Sequence, residues 1–423
     1  MKAIFLTRSA LHGKFSRLVL TYPVNAEKGA SSAFREKTAA LALRAASICL
    51  VAFVFSSTVS ITFEQTSIIL AFLAWTLALL LGYRPHYKKG MLELAFLLLL
   101  ASQLISSLFS SQKLASILGV RDLFFVCIVY LFATVTRTER RMKEFVYLFI
   151  FSASLMSLYG LIQSGMGVYR ITAAQSTPLT FSGILTIAFS LGFSFVLFGA
   201  NRNERIIFGP LLALILAALV LSYTRSSWVA VFCAILFIGI LKSRWLVVGL
   251  LLFTAIAFLL APHPLKSRAM SIFDPHKPSA RMRIVLLQSS PQVIRDHPIT
   301  GVGMIDLLPI YDKYVYPNVP EHLKDERLGH FHNNLVQVTV QTGIFGLTIF
   351  LFLVFNVVRS EWGGYRAAGD RFTKSISLGS LAAFIGFFIF GMFEYNFGDS
   401  EVIMLIWFTL GLSLACRRLS DCA

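Results

Sequence analysis

Three polar stretches interrupt a chain that is otherwise strongly apolar, and each holds residue types able to manage an anion or a proton. The first is Tyr223-Thr224-Arg225-Ser226-Ser227-Trp228. A guanidinium stays charged and offers a planar fork of donors that matches phosphate oxygens. Wedged between two apolar runs, Arg225 reads as an anion clamp at membrane-interface depth, or as an anchoring Arg that snorkels beside an aromatic ring. The second stretch carries Arg281 and Arg283, a helical run from Ile284 to Ile294, and then Arg295-Asp296-His297-Pro298-Ile299-Thr300-Gly301-Val302-Gly303. Either Arg281 or Arg283 suits a second anion contact. Gly-Val-Gly alone does not make a phosphate loop, because the preceding strand and the Lys are missing. The third is Gly329-His330-Phe331-His332-Asn333-Asn334-Leu335, where the chain enters a long apolar run. An imidazole titrates near neutrality, and a helix N-terminus disfavours its protonation, so His332 suits a general base and His330 is the alternative. Asn333 or Asn334 suits the helix cap. Both His are also metal-ligand types, but no acidic or Cys residue falls at ligand spacing, so no metal is expected.

Other chemistries find little support. The acidic residues of this region (Asp274, Asp296, Asp306, Asp312, Glu321, Asp325 and Glu326) are scattered, with no carboxylate pair for glycosidase-type work. Neither a nucleotide-binding Gly-rich loop with Lys nor a Gly-x-Ser-x-Gly elbow occurs. Cys49, Cys127, Cys233, Cys416 and Cys422 lie in apolar runs or at the C-terminus, and no Cys-x-x-Cys pair occurs.

The elements that must position these residues are membrane helices. Of the 423 residues, 56% are apolar and only 14% charged, against roughly a quarter charged in a soluble domain. Apolar runs at roughly 44–62, 66–83, 91–110, 121–136, 144–162, 178–200, 206–223, 226–241, 245–261, 334–358, 376–393 and 401–416 predict about twelve transmembrane helices. None alternates with period two, which excludes a β-barrel. The expected fold is therefore an all-α polytopic membrane protein with one large loop between spans nine and ten. Its parts are a basic N-terminal segment (1–43), spans one to nine (44–261), the loop (262–333), spans ten to twelve (334–416) and a tail (417–423). The loop holds nine of the thirteen prolines and is too long for a passive connector. Of the 38 Lys and Arg residues, 25 fall on the side of the termini and 13 on the other, nine of these in the loop. By the positive-inside rule both termini are cytoplasmic and the loop faces out. Much of the net charge of +17 is thus a topology signal, and nucleic acid is not an expected partner. Arg170, in a short outer connection, is a further cation on the same side.

These residues resemble the signatures of the O-antigen ligase and polymerase superfamily. Arg283, an amphipathic helix and His297-Pro298-Ile299-Thr300-Gly301-Val302-Gly303 are similar to one of them. His332-Asn333-x-x-Leu335 with Gly343-x-x-Gly346-Leu347 looks like a second, and Thr224-Arg225-Ser226-Ser227-Trp228 like a third. They fall in family order. The resemblance implies a glycosyltransferase of lipopolysaccharide biosynthesis in the bacterial inner membrane, its active site facing the periplasm. It would pass a polymerised glycan from undecaprenyl diphosphate to the lipid A-core, without cofactor or metal and with inversion. On this resemblance His332 is the catalytic base, and Arg225 and Arg283 bind the diphosphate. Arg281, Arg170, His330 and Asn333 are further candidates. A single large loop favours a ligase over a polymerase. The short tail after span twelve favours it over a protein O-oligosaccharyltransferase of the same superfamily, which would be expected to carry a further C-terminal region. A transporter would instead be expected to carry its polar residues near the bilayer midplane.

Overall fold

The computed structural model describes residues 30–85, 90–319 and 329–422. Most of the basic N-terminal segment, Lys88, Lys89, Glu321, Asp325 and Glu326 lie outside the described residues. Helix dominates, with no strand among the described residues. In chain order the helices are α1 (Ala30–Ser56), α2 (Ile61–Leu80), α3 (Met91–Phe109), α4 (Lys113–Gly119), α5 (Cys127–Val135), α6 (Glu139–Gly165), α7 (Pro178–Ser194), α8 (Arg202–Leu221), α9 (Arg225–Lys242), α10 (Arg244–Leu260), α11 (His263–Met270), α12 (Pro278–Asp296), α13 (Asn334–Ala367), α14 (Arg371–Phe390) and α15 (Ser400–Cys422). A tight helical turn, Val120–Val126, joins α4 to α5 into one crossing segment.

Eleven of these segments are long and apolar enough to cross a bilayer, and α10, at 17 residues, is the twelfth apolar helix. All twelve apolar runs are therefore helices. The boundaries differ most from the runs in four places, one of them α13, which continues past the run to Ala367. Helix α1 starts at Ala30, ahead of the apolar run, because Arg35, Glu36, Lys37 and the alanines after them are good helix formers. The fourth crossing begins at Lys113, and α15 continues through the polar tail to Cys422. Within the long connection, 261–333, α11 and α12 supply structure of their own.

Helices α7, α14 and α15 form the buried centre, while α2, α8 and α10 lie at the rim. Lipid is as apolar as Leu, so close packing rather than apolar burial holds such helices together. Gly379 of α14 lies against the Leu191 backbone, and Gly411 of α15 against the Val129 carbonyl. Beside that contact, Phe132 packs edge-on to Phe145 and Phe408, at 5.0 and 4.9 Å. Large side chains such as Leu251, Phe253 and Leu259 of α10 point away from the bundle, as a lipid-facing helix requires.

The connections that alternate with the termini meet at one end of the bundle. Gln175 donates to the Thr58 carbonyl at 2.9 Å, Thr180 to Asp399 at 2.8 Å, and Ser110 to the Val302 carbonyl at 2.8 Å. At this end α13 is interrupted. Gly343 adopts φ 69°, ψ −172°, and the 297–303 turn packs into the break. Val302 and Gly303 donate their amides to the carbonyls of Val340 and Gln341, and Ile344 donates to that of Pro298, all at 2.9 Å. A Cβ on Gly343 would meet the Ile299 carbonyl at 2.1 Å, and one on Gly301 (φ 67°) the Gln341 backbone at 2.4 Å. The Gly-Val-Gly element is thus a backbone clasp on α13. It fixes the first two turns of that helix, and with them the residues just before it.

Candidate functional site

The chain enters α13 through Phe331-His332-Asn333. Asn333 caps the helix, its Oδ1 accepting from the amides of Leu335 and Val336 at 2.9 and 3.1 Å. Such a cap contributes roughly 1 kcal/mol. Its Nδ2 donates to the Met392 carbonyl at 2.9 Å, and the Asn334 side chain donates to Asn396 at 2.7 Å. Asn333 and Asn334 together tie the entrance of α13 to the 391–399 connection between α14 and α15. His332 sits at the bend with φ 48°, a left-handed conformation uncommon for a residue with a Cβ. The bend turns its imidazole toward that connection.

Glu394 of the 391–399 connection accepts both imidazoles. His332 Nδ1 lies 3.1 and 3.0 Å from its two carboxylate oxygens, and His330 Nε2 lies 3.0 Å from Oε1. The rings are 4.3 Å apart, edge to face. The hydrogen-bond network assigns the tautomers. His330 Nδ1 accepts the His332 amide at 3.3 Å, so its hydrogen belongs on Nε2. The His332 hydrogen belongs on Nδ1, facing the carboxylate, which leaves Nε2 able to accept a proton. Arg283 Nη2 approaches the same carboxylate at 3.6 Å. Burial alone would raise the Glu394 pKa, but the His332 hydrogen bond and the His332, His330 and Arg283 charges outweigh it, so Glu394 is held below the ordinary carboxylate value. Burial pushes His330 down to about 4 despite the pull of Glu394, so it is neutral at neutral pH.

His332 also lines a cleft of about 200 Å³ whose other walls include Arg170, Arg225, Arg268 and Arg283. Four separate elements deliver these cations: the 166–177 connection, the first turn of α9, α11 and α12. Backbone carbonyls orient three of them. Arg170 Nε donates to Ser222 at 3.3 Å, Arg268 Nε to Tyr223 at 2.9 Å, and Arg225 Nη1 to Ser271. The fourth, Arg283, is held by Glu394. Burial, and then repulsion from Arg268 and Arg283, lowers the Arg170 pKa. Burial likewise lowers Arg283, with Glu394 pulling the other way. Guanidinium remains charged through such shifts, and several cations on one small wall attract an anion of more than one charge. A second hollow of about 380 Å³ adjoins the cleft at Arg225, Ser226 and Arg283 and is lined by Val229, Ile272, Ile284 and Phe393. A larger hollow, about 710 Å³, runs beside α3, α4 and the 120–126 turn. Its wall is mainly apolar and polar groups do not converge on it, so the smaller cleft is the site candidate.

Of the residues picked out by sequence, Arg225, Arg283, Arg170 and His332 share the cleft, and His330 stands directly behind it. Asn333 is a cap rather than a cleft residue. Arg281 is exposed and outside the cleft lining, so Arg283 is the Arg of that pair at the site. Sequence reasoning missed Arg268 and Glu394. Arg268 looked like one basic residue among nine in the long connection. Glu394 lies 62 residues from His332, although a carboxylate at a span end between Phe393 and Tyr395 was a readable signal. It also supplies the acidic neighbour that the two His lacked in sequence.

Known proteins match the part of the chain that carries most of these residues. Residues 210–351 match a family model described as O-antigen ligase. A Rickettsia typhi protein named "Putative polysaccharide ligase" is 30% identical over 183 residues, covering 41% of this chain and 40% of that protein. Proteins of the same name from Rickettsia conorii and Rickettsia prowazekii are each 29% identical, over 157 and 183 residues. They cover 36% and 41% of this chain, and 34% and 40% of their own lengths. The match thus spans about two fifths or less of these relatives. Arg225, Arg268, Arg283, His330 and His332 lie inside the family-matched stretch, whereas Arg170 and Glu394 lie outside it.

Proposed function

From the match of residues 210–351 to the O-antigen ligase family, we propose that the chain is a member of that superfamily and that this multi-pass membrane protein is a glycan ligase. It transfers a polymerised glycan from undecaprenyl diphosphate to a hydroxyl of the lipid A-core, at the periplasmic end of the bundle. The observation that carries this reading is the convergence of His332 and four arginines on one cleft at the end that the Lys/Arg asymmetry assigns to the outside.

Diphosphate is the leaving group, and fixed cations stabilise the charge it gains as the glycosyl bond breaks. Arg225 and Arg283 hold it, supported by Arg170 and Arg268. A sugar hydroxyl is a poor nucleophile until its proton is removed as the new bond forms, which is typically worth about 10² to 10⁴ in rate. His332 Nε2 accepts that proton. Glu394 fixes the ring and its tautomer through Nδ1, much as the buried Asp does in a serine-protease triad. Glu394 is engaged by His330, His332 and Arg283 and is not free to form a glycosyl-enzyme. A single displacement with inversion at the anomeric carbon follows. The same groups need no metal ion for either task.

The test is reconstitution of the purified protein with lipid-linked glycan and lipid A-core in the presence of EDTA. Ligated product with inverted anomeric configuration is expected. Retained configuration, or glycan moved across the bilayer without being consumed, would refute the reading.

A further inference from the structure

The cluster behind the cleft has a second chemical capacity. Ligand atoms of His330, His332 and Glu394, one from each, lie within 4.8 Å of one another, and the nitrogens that face the carboxylate are His330 Nε2 and His332 Nδ1. Each imidazole atom stands 3.0 Å from the carboxylate. A tetrahedral ion bonded at about 2.0–2.1 Å holds its ligand atoms roughly 3.3 Å apart. Two His and one Glu with a fourth position open is a donor set suited to zinc and its neighbours in the transition series. We propose that His330, His332 and Glu394 form an inhibitory binding site for a zinc-class divalent cation. The inhibition, though not the binding, rests on the reading of His332 as the base.

The inhibitory sense follows from the tautomer. A metal ion on His332 Nδ1 displaces the hydrogen that now faces Glu394. The neutral ring keeps one hydrogen, which must then sit on Nε2. The lone pair that would take the acceptor's proton is gone, with no oxidation and no net gain or loss of protons by that ring. For His330 the equivalent shift moves a hydrogen from Nε2 to Nδ1, at the cost of the 3.3 Å contact from the His332 amide, a long one for a hydrogen bond. Metal binding also takes up the carboxylate that holds Arg283 at 3.6 Å. Arg283 opposes an incoming cation, so this is a site for an ion that binds and leaves, not one built in at folding.

The experiment uses the full-length protein in detergent micelles, with Co2+ as spectroscopic probe and Zn2+ as inhibitor. One equivalent of Co2+ should give the intense visible bands of four-coordinate cobalt, and these should be lost in both His330→Ala and Glu394→Gln. Zn2+ should stop glycan transfer, and EDTA should restore it. In His330→Ala, which keeps part of its turnover, the half-inhibiting Zn2+ concentration should rise about 100-fold or more, beyond the 10- to 100-fold cost of losing an outer-shell partner. Absence of cobalt bands in the wild-type protein overturns the proposal, as does their persistence in both variants. Undiminished turnover at saturating Zn2+ overturns the inhibition. The cobalt measurement needs no substrate, so it tests the metal site even if the ligase reading fails.

Discussion

His332 Nδ1 lies 3.0 Å from Glu394 Oε2, joining the entrance of α13 to the α14–α15 connection across 62 residues of sequence. The contact turns a loop histidine into an oriented one, with Nε2 as the atom left to accept a proton. Glu394→Gln keeps the size of the side chain but can present an N–H where the carboxylate accepted one, favouring the wrong tautomer. Glycan transfer should fall by about 10² to 10⁴-fold, the range for loss of general-base function, with donor binding little changed. Turnover within a few-fold of wild type would mean that the ring is oriented without Glu394.

Arg283 and Arg281 are two residues apart, yet only Arg283 reaches the cleft. Arg283→Ala and Arg225→Ala should each lower turnover by about 100-fold or more, by analogy with removing one oxyanion donor. Lys should not rescue them, because an ammonium lacks the planar fork. Arg281→Ala should stay near wild type. The reverse order for Arg281 and Arg283 would contradict the geometry.

Much of this was legible in the sequence. Apolar runs revealed the crossings because a bilayer demands about 20 apolar residues per helix, and all twelve runs are helices here. Arg225, Arg283 and His332 could be grouped because alternating crossings put them at one end. The contacts within that end were not readable. Glu394 meets His332 only once α13 and α14 pack together, and Arg268 enters the cleft only because α11 folds back to the Tyr223 carbonyl. Pro298-Ile299-Thr300-Gly301-Val302-Gly303 could be recognised as a turn, but its partner, the break at Gly343 in α13, depends on tertiary contact rather than on local propensity.

Acid should loosen the site. The folded pKa of His330 is about 4, below its ordinary 6.5. Between these values the unfolded chain takes up a proton that the folded site refuses, so stability is lost as pH falls through that window. Glu394, held below its ordinary 4.5, acts in the same direction, its contribution being lost as pH falls below that value. Thermal unfolding in detergent should shift down from pH 7 to pH 4, and less so in His330→Ala. Equal slopes for the two proteins would remove His330 as a cause.

The side of the membrane can be tested independently of chemistry. If both termini are cytoplasmic, as the Lys/Arg asymmetry predicts, a reporter fused near Pro309 should be active only outside the cytoplasm, and one in the 366–371 connection only inside. A reporter near Pro309 active only in the cytoplasm would put the cleft on the wrong side for a periplasmic ligase.

The central claim is that His332 takes the acceptor's proton, and its most direct test is the ligation rate of purified His332→Ala with lipid-linked donor and lipid A-core acceptor. Ligation should fall by about 10² to 10⁴-fold, as for loss of a general base. Expression and donor binding should be retained, since the arginines of the cleft remain, and His330→Ala should be milder. A His332→Ala protein that still ligates at close to the wild-type rate would contradict the account.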